Sequence, residues 1–307
     1  MITLAAGVSY IDLNFLGVRG VIATAVLPGQ DGVALIDPGP ASALPVLRAN
    51  LERTGIAIAD LRTILLTHIH LDHAGATGTL VRENPALRVV VHEHGAPHMV
   101  NPEKLIASAS QLWPGGEMDR LWGEFLPVPV DRLDVVKGGE RITAGGRDLE
   151  IQYTPGHANH HVSYFGADTG IAFVGDTAGI RLQGDGFVMP PTPPPDIDLD
   201  KWRDSLTRIA AWHPSTLFVT HFGPYTTVTP HLTELVDHLE LTSGLVKASL
   251  TREGTDADRE AWFADEVRRL LLRRVSVSEA QAYEVAGRLD LNWKGLARYW
   301  RKRDRAN

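Results

Sequence analysis

The stretch THIHLDHAG at residues 67–75 places three histidines and one aspartate around a single leucine. Imidazole and carboxylate groups are ligands for zinc, iron and manganese, whereas a cluster of such polar groups is poorly suited to an apolar core. The apolar run TILLT leads into the stretch, as expected of a buried strand that ends where the histidines begin. The residue types and their spacing therefore indicate a metal site at a strand end.

The polar residues of this stretch divide into two pairs. His68 and His70 are two positions apart at the strand end, where alternate side chains point to the same side and can share one metal ion. Asp72 and His73 follow at an expected helix start, and the turn of the chain aims them elsewhere, toward a second ion. We therefore expect two neighbouring metal ions.

Two ions need more ligands than this stretch provides, and isolated residues of the right type close three later strand-like runs. His157 closes YTPGH, Asp176 closes AFVGD and His221 closes LFVTH. Side chains at separate strand ends of one sheet edge can converge in layered α/β proteins. His161, which follows His157 by four positions, is expected to support the ligands rather than to bind metal.

The elements that must position these residues alternate in an α/β rhythm. A helix is predicted over residues 43–53, and another begins at an N-cap of Asp198 or Asp200 and ends near Trp212. From Thr229 onwards only helices are predicted, because apolar residues recur at a spacing of three and four. The strand-like runs are VIATAVLP, GVALIDPG, RTILLT, LRVVVHEH, RDLEIQYTPGH, VSYFG, GIAFVGDT and TLFVTHFGP.

The charge distribution suggests a domain boundary. The chain of 307 residues carries a formal net charge of −7, yet residues 251–307 hold more Lys and Arg than Asp and Glu. Together with the change to helices, this contrast predicts a catalytic domain at residues 1–240 and an all-helical C-terminal subdomain at residues 241–307.

Residues 95–132 contain Trp113 and Trp122 in a helix-compatible pattern. Long connections of this kind form either a lid over a cleft or a helical layer that covers the sheet, and the sequence leaves both open. In either case we expect this segment to shape the substrate pocket together with the C-terminal subdomain.

Composition excludes several classes of protein. The chain has no cysteine, which excludes disulfides, thiolate zinc sites, iron–sulfur clusters and a cysteine nucleophile. No uncharged run approaches the ~20 residues of a membrane span, and the first residues lack a signal-peptide pattern. We therefore expect a cytoplasmic protein that acts on a small-molecule substrate. The sequence leaves open whether the chain forms a homodimer.

All seven candidate ligands resemble, in order, the pattern of the metallo-β-lactamase superfamily, His-x-His-x-Asp-His followed by a His, an Asp and a His at later strand ends. The resemblance implies an α/β fold, a four-layer αββα sandwich with the metals along one edge of its two sheets. It also implies that two groups of residues hold two divalent ions and that one aspartate bridges them: His68, His70 and His157; Asp72, His73 and His221; and Asp176.

The resemblance further implies a hydrolase. Two divalent ions, zinc in the first place and iron or manganese as alternatives, lower the pKa of a shared water and so provide a bridging hydroxide as nucleophile. Asp72 or Asp176 would orient this hydroxide or relay its proton. Asp37, in ALIDPG, resembles a residue that hydrogen-bonds a ligating histidine.

Departures from the family pattern limit which branch of the superfamily the chain can resemble. The absence of cysteine and the presence of Asp176 argue against a true β-lactamase and favour a likeness to glyoxalase II and lactonases. Gly179 stands where lactonases carry a tyrosine, and the segment TAGIRLQGDGF lacks the Gly-Cys-Gly-Arg motif of glyoxalase II. Tyr225 is either a replacement hydrogen-bond donor or a packed tyrosine. We predict hydrolysis of a small ester, thioester or lactone.

Two other classes of function use features of the same chain. A mononuclear or binuclear iron oxidoreductase, similar to persulfide dioxygenases, could share the ligands, although a mononuclear site would leave Asp72 and His73 idle. A nuclease or phosphodiesterase could use the basic tail WKGLARYWRKRDR. Helical spacing and the acidic chain favour a solvated helix face instead, so nucleic acid is not an expected partner. His92 and His94 are not expected to bind metal, because no Asp-His follows them.

Overall fold

The first of two β-sheets occupies the N-terminal half of the protein. The computed structural model describes residues 1–5, 7–113, 116–182 and 186–305. The sheet has seven strands whose order in space equals their order in the chain. The first three pairings are antiparallel and the last three are parallel. The strands are β1 (Ile2–Ala5), β2 (Val8–Asp12), β3 (Ala23–Gly29), β4 (Gly32–Ile36), β5 (Leu61–Leu65), β6 (Arg88–His92) and β7 (Leu133–Val136).

The second sheet has six strands, in the order β13-β12-β11-β10-β9-β8. Only the pairing of β11 with β12 is parallel, and α7 crosses between these two strands. The strands are β8 (Arg141–Ala144), β9 (Arg147–Tyr153), β10 (Val162–Gly166), β11 (Ile171–Phe173), β12 (Thr216–Val219) and β13 (Gly223–Tyr225).

Helices cover the outer face of each sheet. Trp202 and Leu206 of α7 pack in the outer core of the second sheet, and α1 contributes Leu47 and Leu51 to the outer core of the first. In chain order the helices are α1 (Leu44–Arg53), α2 (Leu71–Ala74), α3 (Thr77–Glu83), α4 (Ala96–Val100), α5 (Glu103–Ser110), α6 (Glu117–Trp122), α7 (Leu199–Ala211), α8 (Val228–Leu250), α9 (Asp256–Leu271), α10 (Val277–Ala286) and α11 (Leu289–Asp304).

Strand alternation explains the layering, because both faces of each central strand are buried. In β4, Val33 and Leu35 face the helices outside the first sheet, whereas Ala34 and Ile36 join the core between the two sheets. In β12, Phe218 enters the same central core, while its neighbours in the strand face outward. The result is the predicted αββα sandwich, with one core between the sheets and one outside each sheet.

The C-terminal helices share the outer core of the second sheet. Phe263 of α9, Tyr283 of α10 and Trp293 of α11 pack in one cluster with Leu217 of β12. The helical region after β13 is therefore confirmed. The boundary between residues 240 and 241 falls inside the continuous helix α8, and the division into two domains stays a prediction. Among the described residues, no helix combines the length and apolar character needed to cross a membrane.

Three of the helices begin at a residue whose polar side chain accepts a hydrogen bond from a free backbone amide in the first turn. Asp198 is the N-cap of α7, and its carboxylate accepts a hydrogen bond from the Lys201 amide at 3.1 Å. Thr255 and Ser276 form capping boxes at the starts of α9 and α10. The segment at residues 95–132 contains α4, α5 and α6, so it forms a helical layer beside the first sheet.

A single hydroxyl ties α10 to the loop after β11. The Tyr283 hydroxyl donates to the Phe187 carbonyl at 2.6 Å and accepts from the Leu182 amide at 3.0 Å. Tyr283→Phe leaves both backbone groups buried and unpaired, so we expect the free energy of unfolding to fall by about 1–3 kcal/mol in urea denaturation. Tyr299→Phe is the control, because its hydroxyl meets Arg303 at the surface. Equal losses in the two variants would contradict this role of Tyr283.

Candidate metal centre

The structure brings all seven sequence-predicted residues together at one edge of the sandwich. Four of them follow β5 of the first sheet, with the pair at 72–73 in α2. The other three follow β9, β11 and β12 of the second sheet, so the two sheets contribute jointly. The potential ligand atoms form three overlapping groups: His68, His70 and His157; His68, His73 and Asp176; and Asp72, His73 and His221.

The first group consists of three histidines. His70 Nδ1 lies 2.9 Å from His68 Nε2 and 3.0 Å from His157 Nε2. The rings of His68 and His70 meet nearly edge to face, with centroids 4.5 Å apart. Three ring nitrogens therefore converge on one small region, as the ligands of a single ion would.

The second group contains carboxylates. His221 Nε2 lies 3.2 Å from Asp72 Oδ2, and His73 Nε2 lies 3.7 Å from the same oxygen. Asp176 stands between the two groups and turns one oxygen to each. Its Oδ1 is 3.2 Å from His73 Nε2, and its Oδ2 is 3.4 Å from His157 Nε2.

Hydrogen bonds outside the cluster fix which ring nitrogens face inward. His157 Nδ1 donates to the Pro191 carbonyl at 2.8 Å, and His221 Nδ1 donates to the Val21 carbonyl at 2.7 Å. Because the outer nitrogen carries the proton in the neutral ring, the inner Nε2 presents a lone pair. This arrangement, with an oxygen acceptor behind each ring, is typical of metal-ligating histidines.

Three inward atoms have no hydrogen bond although they are buried. They are His73 Nε2, Asp176 Oδ1 and His221 Nε2. Buried polar atoms without a partner are costly in folded proteins and call for an ion, a water or another ligand. Their positions beside the Asp72 carboxylate fit a divalent cation held by imidazole and carboxylate groups.

Asp37 accepts hydrogen bonds from a candidate ligand and from two threonines that precede other candidate ligands. Its side chain is fully buried, and Oδ2 accepts from His73 Nδ1 at 2.8 Å. The same oxygen accepts from the Thr220 hydroxyl at 2.9 Å, and Oδ1 accepts from the Thr67 amide at 2.8 Å. Thr220 precedes His221, so this one carboxylate contacts both sheets. The hydrogen bond to a candidate ligand, which the resemblance implied, is present.

The Thr67 hydroxyl connects Asp37 to His68 through hydrogen bonds. The Thr67 hydroxyl donates to Asp37 Oδ2 at 2.7 Å, and it lies 3.1 Å from His68 Nδ1. Since its proton points to Asp37, the hydroxyl oxygen accepts from His68 Nδ1, which leaves His68 Nε2 as an inward lone pair. Sequence reasoning missed Thr67 and Thr220, although each directly precedes a candidate ligand.

His161 and Gly175 position Asp176. His161 Nε2 accepts from the Asp176 amide at 3.2 Å, and its Nδ1 lies 3.0 Å from the Thr154 hydroxyl. Gly175 has φ +46°, and a Cβ there would lie 2.5 Å from Thr67 Oγ1 and 2.6 Å from His161 Nε2. A side chain at this position would therefore displace two groups that hold the site.

The two groups of candidate ligands differ in their protonation. Burial, together with the neighbouring His157, lowers the pKa of His70 to about 3. Burial and surrounding histidines likewise hold the pKa of His68 well below its usual value. These rings are neutral at pH 7 and leave their inner nitrogens free to bind a cation.

Carboxylates dominate the second group. Burial would lower the pKa of His73, but Asp176, Asp72 and Asp37 outweigh burial and raise the pKa well above its usual value. Burial conversely favours the protonated form of Asp72, but His73 and His221 lower the pKa of Asp72 to about 2. The carboxylates are therefore charged, and a metal ion entering this group would displace protons from histidines.

A cavity of about 530 Å³ opens over the cluster. Its floor includes His70, Asp72, His157 and Asp176. Its walls come from the loop after β2, from residues 95–132 and from the C-terminal helices. Cavities of several hundred Å³ accommodate small organic ligands. The expectation that residues 95–132 and the C-terminal region shape a pocket together is thus met by the lining.

Other residues singled out by their sequence have structural partners. His92 stacks on Tyr153 with ring centroids 4.4 Å apart, and His94 Nδ1 lies 3.0 Å from the Asn159 carbonyl. The Tyr225 hydroxyl donates to the Arg181 carbonyl, which favours the packed interpretation of this tyrosine. None of these three rings belongs to a ligand group found in the described part of the chain.

The basic tail is engaged within the protein. Arg301 contacts the Asp256 carboxylate at 2.7 Å, and Arg303 contacts Asp200 at 2.6 Å. Trp293 is buried and donates from Nε1 to the Ser249 hydroxyl at 2.8 Å. These contacts favour the interpretation of α11 as a packed helix with a solvated face.

A two-sheet sandwich that collects histidines and aspartates from both sheets at one edge defines a class of α/β metal-binding proteins. The family model of the metallo-beta-lactamase superfamily matches residues 16–221, and the chain belongs to this superfamily. Most proteins of this superfamily are hydrolases, and their sites hold divalent metals. The resemblance in the sequence is therefore confirmed at the level of the family and the fold.

Relatives agree with this assignment. A metallo-beta-lactamase fold-containing protein of Sulfurisphaera tokodaii is 32% identical over 181 residues, which are 58% of this chain and 64% of the relative. A hydroxyacylglutathione hydrolase of Acaryochloris marina is 31% identical over 198 residues, which are 62% of each protein. The chain thus spans less than two thirds of the length of these relatives. A metallo-beta-lactamase family protein of Thermus thermophilus shares the fold, with a TM-score of 0.72, 22% identity and coverage of 98% and 95% of the two chains.

Asp37→Asn tests whether the buried carboxylate supports metal binding. The variant keeps the side-chain size but replaces one accepting oxygen by an amino group, so it loses hydrogen bonds from His73 or Thr67. We expect metal affinity to fall by roughly ten- to a hundredfold in competition with a chromophoric chelator. Asp12→Asn is the matched control, because Asp12 accepts from the Asn14 amide in a loop. Wild-type affinity in Asp37→Asn would contradict the role.

Proposed function

We propose that the protein is a binuclear metal-dependent hydrolase that acts on a small ester, thioester or lactone. The observation that carries the proposal is the position of Asp176, whose two oxygens face two different groups of inward ring nitrogens. Membership of a superfamily composed mostly of hydrolases adds independent support.

The proposed ligands follow the two groups. His68, His70 and His157 would hold one ion, Asp72, His73 and His221 would hold a second, and Asp176 would supply one oxygen to each group. The inward lone pairs and the unpaired buried atoms support this assignment. Zinc is the first choice, because nitrogen and oxygen ligands suit it, while iron and manganese accept the same set.

Two divalent ions at this site supply a low-pKa water as nucleophile and polarise the substrate carbonyl. The chain's own groups set the conditions for that chemistry. Neighbouring histidines lower the pKa of Asp72 and of Asp176, so both are ionised and either can orient the attacking water by accepting its hydrogen bond.

The proposed substrate class is inferred from the branch of the superfamily that this chain resembles. A relative named hydroxyacylglutathione hydrolase supports a thioester, whereas this chain lacks the motif that glyoxalase II carries after the bridging aspartate. Gly179 likewise stands where lactonases have a tyrosine. The proposal is therefore a hydrolase with its own specificity within this branch. A cytoplasmic location and a homodimeric state stay predictions.

Asp176→Ala tests the bridging position. Because the variant removes an oxygen from each group, we expect loss of bound metal and of hydrolytic turnover, with circular dichroism close to wild type. Metal per chain is measured by elemental analysis of purified, unsupplemented protein. His92→Ala is the control, because His92 packs on Tyr153 outside the cluster. Full metal occupancy and an unchanged rate in Asp176→Ala would exclude the bridging role.

The same elemental analysis of the wild type separates the hydrolase from the redox alternative. About two zinc or manganese ions per chain would support the binuclear hydrolase and justify a panel of esters, thioesters and lactones. About one iron per chain, with oxygen consumption on a persulfide substrate, would instead support the oxidoreductase.

A further inference from the structure

The cavity over the metal centre has a polar floor and an apolar wall. The floor carries the candidate metal ligands, and the wall is formed by parts of the chain that are distant in sequence. The wall residues are Phe15, Leu105, Trp113, Trp122 and Leu291. Phe15 belongs to the loop after β2, the next three to residues 95–132, and Leu291 to α11. We refer to these five residues as the aromatic wall.

The aromatic wall is held in place by its own ring contacts. Trp122 stacks on Phe15 with centroids 5.6 Å apart and an angle of 15° between the rings. Trp113 meets Trp122 edge to face, with centroids 5.1 Å apart and an angle of 77°. Phe15 is buried beneath this pair, whereas Trp113 and Trp122 are half-buried and line the cavity. Such a surface is preformed for an apolar group, because little side-chain entropy is lost on binding.

The two arginines that line the cavity each lie beside a carboxylate. Arg120 lies 3.5 Å from the Glu117 carboxylate, and Arg288 contacts Asp290 at 2.7 Å. Lys104, Asp196 and Glu284 add charges of both signs to the lining. Because the signs are mixed and both arginines face carboxylates, this lining does not form the concentrated positive field that attracts a polyanionic substrate.

We propose that the aromatic wall binds an aryl or alkyl group next to the scissile carbonyl of an uncharged ester or thioester. The substrate would place its carbonyl over the polar floor and its apolar group against Trp113 and Trp122. This inference rests on the proposed function for the reaction. The binding of the apolar group, however, is a separate property of the cavity.

Binding is tested with phenylacetamide, an uncharged probe with a phenyl group beside a stable carbonyl, and with acetamide as its truncated partner. We expect phenylacetamide to change the tryptophan fluorescence of the metal-loaded protein and to bind at least roughly tenfold more tightly than acetamide, because it buries a ring. Trp113→Leu and Trp122→Leu should each weaken phenylacetamide binding. Trp262→Leu should not, because Trp262 packs under Arg252 outside the cavity.

Hydrolysis is measured in parallel with methyl phenylacetate and methyl acetate. A higher kcat/KM for methyl phenylacetate, reduced by Trp113→Leu and kept by Trp262→Leu, would support the wall as the specificity element. If phenylacetamide binds as expected but neither these esters nor the panel of thioesters and lactones is hydrolysed, the proposed function fails and the aromatic site stands. Equal binding of the two amides, or no effect of either cavity tryptophan, would overturn the inference.

A different observation concerns His160, a buried residue that sequence reasoning did not single out. Its Nδ1 accepts a hydrogen bond from the Ile69 amide at 3.4 Å, and Ile69 lies between the candidate ligands His68 and His70. The His160 ring is parallel to that of His68, at 6.0 Å and 10°. Since Nδ1 accepts a proton, Nε2 must carry one.

His160 Nε2 does not belong to the buried unpaired atoms of the described residues, and the only hydrogen bond found for this ring among them is the one at Nδ1. His160 also lines the cavity beside His70 and His157. An N–H donor on a ring that lines the cavity beside the candidate ligands is placed to meet an oxygen of a bound ligand. The geometry points to His160 as a residue that donates a hydrogen bond to the substrate beside the metal centre.

Two substitutions, His160→Asn and His160→Gln, test the roles of the two ring nitrogens of His160 separately. In His160→Asn, the side-chain oxygen can replace Nδ1 and accept from Ile69, but the Nε2 donor is lost. In His160→Gln, the amino group can reach the position of Nε2. We expect kcat/KM for methyl phenylacetate to fall roughly tenfold in His160→Asn and less than about threefold in His160→Gln. If no ester reacts, phenylacetamide affinity is compared instead.

Metal content is the second readout for this pair. If His160 meets the substrate, both variants keep wild-type metal per chain, because His160 belongs to none of the ligand groups. Wild-type kinetics or wild-type phenylacetamide binding in His160→Asn would overturn the assignment. So would a loss of metal that parallels the loss of activity, since it would show that the residue acts through the ligands.

Discussion

The site depends on one buried carboxylate that receives hydrogen bonds from both sheets. Asp37 follows β4 of the first sheet and accepts from Thr67 and His73, which follow β5, and from Thr220, which follows β12. An ionised carboxylate without such partners would be strongly destabilising at this depth. Its need for donors therefore fixes the distance between the two sheets at the edge where the ligands meet.

The two groups of candidate ligands differ in charge. Burial lowers the pKa values of His68, His70 and His157, and neighbouring histidines add to this effect, so these rings present neutral nitrogens. Around His73 and His221, by contrast, buried carboxylates outweigh burial and raise the pKa. Cations are the natural complement of several buried carboxylates, so metal binding and the stability of this edge are expected to be linked.

The residues proposed to select the substrate lie in other parts of the chain than the candidate metal ligands. The cavity wall combines the loop after β2, the helical layer at residues 95–132 and the C-terminal helices, while the floor comes from the strand ends. This division explains how members of one superfamily can keep a metal centre and differ in specificity. The C-terminal helices contribute residues to the cavity lining, and Tyr283 and their shared core hold them against the second sheet.

Local sequence patterns were enough to predict the order and types of the seven candidate ligands and the strands that carry them, and they limited the N-cap of α7 to Asp198 or Asp200, of which the structure has Asp198. These features depend on periodicity and on side chains a few residues apart. The same patterns held no signal for β1, β7 or the proposed donor role of His160, because short edge strands have no distinctive local pattern and the spacing of His157, His160 and His161 does not show which ring faces the cavity. The packing of Tyr225 on a carbonyl and the stacking of Phe15 on Trp122 became visible in the folded chain alone. Such contacts join residues far apart in the chain, and their energy exists only once the sheets have packed.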